Sequence, residues 1–375
     1  MTRWKSWTGI AALTGVLGAS AVAAGPVDMA EAAPTLKFTT VVSRAAIPWD
    51  LTWVGGVMLY DQRAGGIWSK RGSAAPRRVQ IPTPTPLVAS EGGLLGMVAD
   101  PKAATNKIFY TCQTVKASKD VRVLRWRLQS DTRAVAVGKP LVTGIPLTNG
   151  RHTGCRLRFS ARGMLYIGTG DAAVGTNPQN RSSLGGKVLR VHPDGRIPTT
   201  NPYYRSGGRA RYVWNYGHRN IQGLALRPGT EQIFTAEHGS TRDDEINIVK
   251  KSANYGWNPV PGYDESRSMT DTKKYPKAQR AIWSSGNPTV ATSGITFLSG
   301  SRWENWNGAM AVAQLKGTGI RLLFLDRAGK VTSQRMVPGS TAYGRIRTVQ
   351  AGPDGALYFT TSNGEGDKIV RVTPS

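Results

Sequence analysis

The stretch His218-Arg219-Asn220-Ile221-Gln222-Gly223-Leu224-Ala225-Leu226, running on to Gln232-Ile233-Phe234, decides the fold because its pattern recurs along the chain. It has a polar start, a short alternating strand, a turn rich in Gly, Pro or Asp, and a second apolar strand. Upstream, Glu91-Gly92-Gly93-Leu94-Leu95-Gly96 leads to Lys107-Ile108-Phe109-Tyr110, and His152-Thr153-Gly154-Cys155-Arg156-Leu157 leads to Met164-Leu165-Tyr166. Downstream, Ala291-Thr292-Ser293-Gly294-Ile295 leads to Ala309-Met310-Ala311-Val312, and Arg345-Ile346-Arg347-Thr348 leads to Ala356-Leu357-Tyr358-Phe359. Gly56-Val57-Met58-Leu59-Tyr60 fits the second-strand slot ahead of them all.

Six such strands, spaced roughly 60 residues apart on average, predict an all-β, six-bladed β-propeller. A β-sandwich could hold as many strands, but it does not require the same polar start in every copy. In a propeller the innermost strands surround a channel, so equivalent starts converge on one mouth. Glu91, His152, Arg219, Asn220, Thr289, Arg345 and Arg347 are therefore expected to form a polar ring, the natural place for a binding site.

The first residues read differently. Arg3 and Lys5 precede an apolar, small-residue run from about Trp7 to Ala24, with the cleavage options Ala21-Val22-Ala23 at its end and Ala30-Glu31-Ala32 beyond it. This is the pattern of a secretory signal, and the run is short and interrupted for a membrane span. Residues 1–33 are read as signal and leader, residues 34–375 as the propeller, and the protein as secreted, extracellular or bound to the cell wall. No later segment predicts a membrane span. The net charge is +26, with 49 Lys and Arg against 23 Asp and Glu. The cations are scattered and no nucleic-acid motif accompanies them, which points away from nucleic acid and toward solubility, an anionic wall polymer or an anionic ligand. The two cysteines, Cys112 and Cys155, suggest one disulfide in an oxidising compartment and exclude a thiolate metal cluster.

Six ordered blocks carry a resemblance. Tyr216-Gly217-His218-Arg219-Asn220-Ile221-Gln222-Gly223, Glu237-His238-Gly239, Asp243-Asp244-Glu245-Ile246-Asn247 and Asn254-Tyr255-Gly256-Trp257 form its centre, preceded by the motifs starting at Glu91 and His152. Across roughly residues 40 to 373 the chain resembles the glucose/sorbosone dehydrogenase family, which includes soluble glucose and aldose sugar dehydrogenases dependent on pyrroloquinoline quinone (PQQ). The resemblance implies PQQ and calcium at the channel mouth. It also implies a sugar substrate oxidised to its lactone, with electrons leaving to an acceptor that the sequence does not identify. His152 matches the base that takes a proton from the sugar hydroxyl, a task suited to an imidazole.

PQQ has three carboxylates, and Glu91, Arg219, Asn220, Thr289, Lys316, Arg345 and Arg347 match its binding shell. Guanidinium groups suit carboxylates because their forks bind them in pairs. Arg345 and Arg347, two apart, are expected to share a face. Gly239 and Ser240 match main-chain ligands of a cofactor-linked calcium. Glu245 and Tyr255, with Asp244, match a second, structural calcium, although the acidic run could equally be a plain turn. The chain departs from the family pattern on the substrate side. Arg151 stands where the glucose enzyme has an acidic residue, and Ser284 and Asn287 stand where it has aromatic ones, which argues against glucose itself. A non-catalytic propeller that binds PQQ or the cell wall is the alternative reading. A calcium-dependent lactonase would need a carboxylate-rich centre, which this cationic ring is not.

Overall fold

The computed structural model describes residues 33–375, so the expected secretory signal lies outside the described residues. Six antiparallel sheets follow one another: five have four strands and one has five. Their innermost strands are Pro48–Val54, Leu94–Ala99, Gly154–Phe159, Ile221–Leu226, Thr292–Phe297 and Ile346–Ala351. Each packs against the next, and Ile346–Ala351 returns to Pro48–Val54, so the ring closes. The expected six-bladed propeller is therefore observed. Its polar-start strands are the innermost strands of blades two to six. Gly56–Tyr60 falls on Val57–Gln62, the second strand of blade one.

Closure of the ring is built from both chain ends. Leu36–Ala45 pairs with Asp367–Pro374 as the outermost strand of blade six, so the last blade cannot be completed without the first strand. Between blades the cores are apolar. One cluster between blades two and three contains Leu95, Tyr110, Leu157, Phe159 and Ile167, and another between blades five and six contains Ile320, Val349, Phe359 and Val370. Each such side chain contributes roughly 1.5–3 kcal/mol by leaving water. A disulfide joins Cys112, on the second strand of blade two, to Cys155, on the innermost strand of blade three.

Two features of the innermost strands position the site. All six carry a register shift near their starts, for example between Gly154 and Arg156 and between Ile221 and Gly223. Such bulges bend a strand and re-aim its side chains. The glycines allow close approach: a Cβ at Gly96 would sit 2.1 Å from the Cys155 carbonyl oxygen, and one at Gly223 would sit 2.3 Å from that of Ser293. Small residues there let the blades crowd around a narrow axis.

Candidate active site

The strand starts open onto a cavity of about 350 Å³ at one mouth of the channel. Glu91, His152, Arg219, Asn220, Thr289, Arg345 and Arg347 all line it, as do Gly239, Ser240 and Asp244. The repeat thus gathers residues that lie up to 256 positions apart, Glu91 to Arg347, around one cavity. Lys316 stands at the rim, exposed, with Nζ 3.4 Å from Thr289 Oγ1.

His152 is held on several sides. Its Nδ1 lies 2.9 Å from Asp171 Oδ1, which fixes the proton on Nδ1 and leaves the lone pair on Nε2. The Tyr263 hydroxyl sits 2.8 Å from the same nitrogen and donates to Asp171 Oδ2 at 2.6 Å. Trp257 Nε1 also donates to Asp171 Oδ2, at 2.8 Å, and Ala173 N donates to Oδ1. The His152 backbone is left-handed, with φ of 52°, a conformation uncommon for a side-chain-bearing residue. It is secured by a hydrogen bond from His152 N to Glu91 and by one from Ala172 N to His152 O. The Glu91 carboxylate also accepts from Asn220 Nδ2 and Gln222 Nε2, so it links blades two, three and four.

The facing wall is cationic and incompletely satisfied. Arg347 is buried, with its guanidinium 3.8 Å from the Trp49 ring centroid and Nη1 bonded to Gln222 Oε1 at 3.1 Å. Burial, with Arg156 and other cations nearby, pushes it down to about 9. Arg219 donates to His238 O and pairs with Glu265 at 2.5 Å. Arg345 is exposed and donates to the Ser362 and Leu315 carbonyls. Four buried polar atoms on this wall have no partner among the described residues: Arg219 Nε, Arg347 Nε, His238 Nε2 and Ser240 Oγ. Burial and the Arg347 and Arg219 charges hold His238 well below the usual imidazole range. The wall therefore presents positive charge and unpaired polar atoms suited to a polar anionic ligand.

The metal candidates separate. Gly239 and Ser240 border the cavity, and their carbonyls accept no hydrogen bond from the described residues. Asp244 is also there; its Oδ1 accepts from Gly239 N, and its Oδ2 from Val290 N and Ala291 N. Glu245 and Tyr255 lie outside the cavity lining, buried. Burial, with Glu237 beside it, pushes Glu245 up to about 8. The Tyr255 hydroxyl is committed, donating to Ile248 O and accepting from Lys250 N.

Several residues of the site are absent from the sequence-based set: Asp171, Trp257, Tyr263, Glu265 and His238. Tyr263 and Glu265 lie on the long connection between Glu245–Ile248 and Trp283–Ser284, and Glu265 bridges Arg219 and Arg151. The Tyr263 ring lies 5.7 Å from that of His152.

A closed propeller with a cationic axial cavity and an oriented histidine at its mouth defines the architectural class. Over residues 45–371 the chain matches the family described as Glucose / Sorbosone dehydrogenase, and it belongs to that family. It is 29% identical to aldose sugar dehydrogenase YliI of Escherichia coli, over 92% of this chain and 94% of that one. The crystal structure of a soluble aldose sugar dehydrogenase from Escherichia coli in the apo form superimposes with a TM-score of 0.80 at 26% identity, covering 91% of this chain and all of the other. The PQQ-bound form of an aldose sugar dehydrogenase from Streptomyces coelicolor gives a TM-score of 0.72 at 26% identity, with the same coverage.

Proposed function

We propose that this chain is an exported PQQ- and calcium-dependent dehydrogenase that oxidises an aldose-type sugar to its lactone, with His152 as the base. The observation that carries the reading is the cationic wall with its four unpartnered polar atoms, facing a histidine whose Nδ1 is held by Asp171. Arg219, Arg345, Arg347 and Lys316 would hold the cofactor carboxylates, with Asn220 and Thr289 as hydrogen-bonding neighbours. Glu91 acts one step back, by fixing Asn220 and the His152 main chain. When bound, PQQ supplies a quinone able to accept a hydride. His152 Nε2 takes the hydroxyl proton of the sugar, and the Asp171 carboxylate stabilises the resulting imidazolium. Calcium fits the free Gly239 and Ser240 carbonyls, which are hard oxygen donors. A second ion fits beside Glu245, where two carboxylates lie buried together and Asn247 Oδ1 has no partner.

The name of the Escherichia coli relative and the PQQ-bound neighbour support this reading. The test is a PQQ titration followed by absorbance, with and without calcium, and then dye reduction across an aldose panel. Saturable, calcium-dependent PQQ binding and sugar-dependent dye reduction are expected. His152→Ala should abolish reduction while keeping PQQ binding, and Arg347→Met should weaken PQQ roughly 10–100-fold. Failure to bind PQQ defeats the proposal. A non-catalytic propeller held to anionic wall polymer draws support from the net charge of +26 and from Arg151 at the substrate side. PQQ binding without oxidation of any sugar, together with retention on such a polymer, would favour it.

A further inference from the structure

The axial channel has a second mouth. The innermost strands deliver their starts to the cavity above, while the far ends of five of them line a separate cavity of about 330 Å³. The two share no lining residue. Val98, Phe159, Leu226, Pro228 and Phe297 make most of the second wall apolar, and a single guanidinium, Arg158, is set among them.

Arg158 follows Arg156 by two positions on one strand, so both project toward the axis. Their circumstances differ sharply. Arg156 pairs with Asp50 at 3.1 Å and donates to Thr348 Oγ1 at 2.9 Å. Arg158 makes one long hydrogen bond, 3.4 Å to Gln350 Oε1, and its Nε has no partner among the described residues. Asp50 is the carboxylate whose charge reaches Arg158. That carboxylate is already taken by Arg156 and by the N–H groups of Leu51 and Met97. A guanidinium has five donors, and half-buried Arg158 uses one of them, at long range, among the described residues. Burial accordingly pushes the Arg158 guanidinium down.

We propose that this second mouth binds a small organic carboxylate, its charge paired with Arg158 and its apolar body against Phe159, Leu226 and Phe297. The volume lies at the lower end of small-molecule sites, which suits a single-ring acid. A bare anion would answer the charge and leave the walls wet, whereas a neutral ring would fill the walls and leave Arg158 unpaired. The proposal is independent of the dehydrogenase reading, because it uses none of that site's residues.

Isothermal titration of the purified chain with benzoate, benzyl alcohol and acetate tests it. Benzoate should bind one per chain, at least about tenfold more tightly than either of the others. Arg158→Met should weaken benzoate by about tenfold or more. Leu226→Trp, which fills the cavity and keeps the arginine, should do the same, so a folding failure of the first variant leaves the test intact. Arg345→Gln, at the other mouth, should leave benzoate binding unchanged. The proposal is overturned if benzoate does not bind or acetate binds as well as benzoate. Binding that survives Leu226→Trp, or that is lost in Arg345→Gln, overturns it as well.

Discussion

Blades three and four each hold a histidine whose Nδ1 meets a carboxylate 19 residues further along the chain: His152 with Asp171 at 2.9 Å, and His218 with Glu237 at 3.0 Å. The pairs look alike and cannot do the same thing. His218 is fully buried, its Nε2 is taken by Asn215 Oδ1 at 3.0 Å, and its ring stacks on Tyr255 at 4.2 Å. His152 lines the cavity, and its Nε2 has no hydrogen-bond partner among the described residues. The carboxylate orients both rings; what occupies the second nitrogen decides whether a ring is a closed strut or is free to serve as the proposed base. A histidine–acid pair is therefore not itself the signature of reactivity here. The proposed base role needs the same pair left open on one side.

The largest effect expected is on the open pair. Asp171→Asn keeps the shape and removes the charge that fixes the tautomer, so kcat should fall by about 10²–10⁴-fold, with PQQ affinity within about twofold of the parent. Steady-state dye reduction and an absorbance titration measure the two quantities, and an undiminished kcat would remove Asp171 from the mechanism. Glu237→Gln makes the equivalent change in the closed pair. It should destabilise the fold by about 3 kcal/mol, seen in denaturant melts, because the Glu237 carboxylate also accepts from Arg219 N and Asn247 Nδ2. Its kcat, per folded molecule, should change far less than that of Asp171→Asn. Equal kcat losses in the two variants would erase the distinction between strut and base.

The comparison also shows what a sequence reveals. The ring of Glu91, His152, Arg219, Asn220, Thr289, Arg345 and Arg347 was legible because blades two to six repeat a polar start before a bulged inner strand, and closure of the ring converts that repetition into proximity. The innermost strand of blade one, Pro48–Val54, and the closing strand Leu36–Ala45 lack that start, so the pattern did not mark them. Asp171 was open to reading, since the spacing of 19 recurs in the next blade, but a lone Asp before Ala172-Ala173 also looks like an ordinary turn. Trp257, Tyr263 and Glu265 belong to a long connection without periodicity. Their distance from His152 in the chain, 111 residues for Tyr263, is bridged by folding that no local pattern encodes. Asp244 shows the converse. Its place in an acidic run suggested metal, and the structure shows three N–H groups of neighbouring backbone donating to its carboxylate.

A smaller effect is expected at Tyr263, whose hydroxyl bonds both members of the open pair, whereas Tyr255 stacks on the His218 ring. Tyr263→Phe removes one hydroxyl while leaving the His152–Asp171 bond, so kcat should fall roughly 3–10-fold with PQQ affinity unchanged. A fall in affinity alone would make Tyr263 a binding residue and not a positioning one.

The smallest effect concerns what ties that tyrosine's loop to Arg219 and Arg151. Glu265 pairs with Arg219 at 2.5 Å and with Arg151 at 3.2 Å, on a side chain that is 38% exposed. It therefore competes with an incoming carboxylate for Arg219. Glu265→Gln should tighten PQQ binding a few-fold, about 3-fold, while lowering the melting temperature of the ligand-free protein by about 1–2 °C, as expected for a solvent-screened pair. Hydrogen bonding and charge from Arg219, with Arg151 adding, outweigh partial burial and hold the Glu265 carboxyl below its ordinary 4.5. Because the folded value is depressed, the stabilisation is present above the unfolded value and lost as pH falls through the folded one. The parent and Glu265→Gln melting curves should therefore differ at neutral pH and converge on acidification below about 4.5. A gap that persists in acid would mean the pair contributes through packing and not through charge. The tether would then leave Arg219 as available to an anion as it is without Glu265.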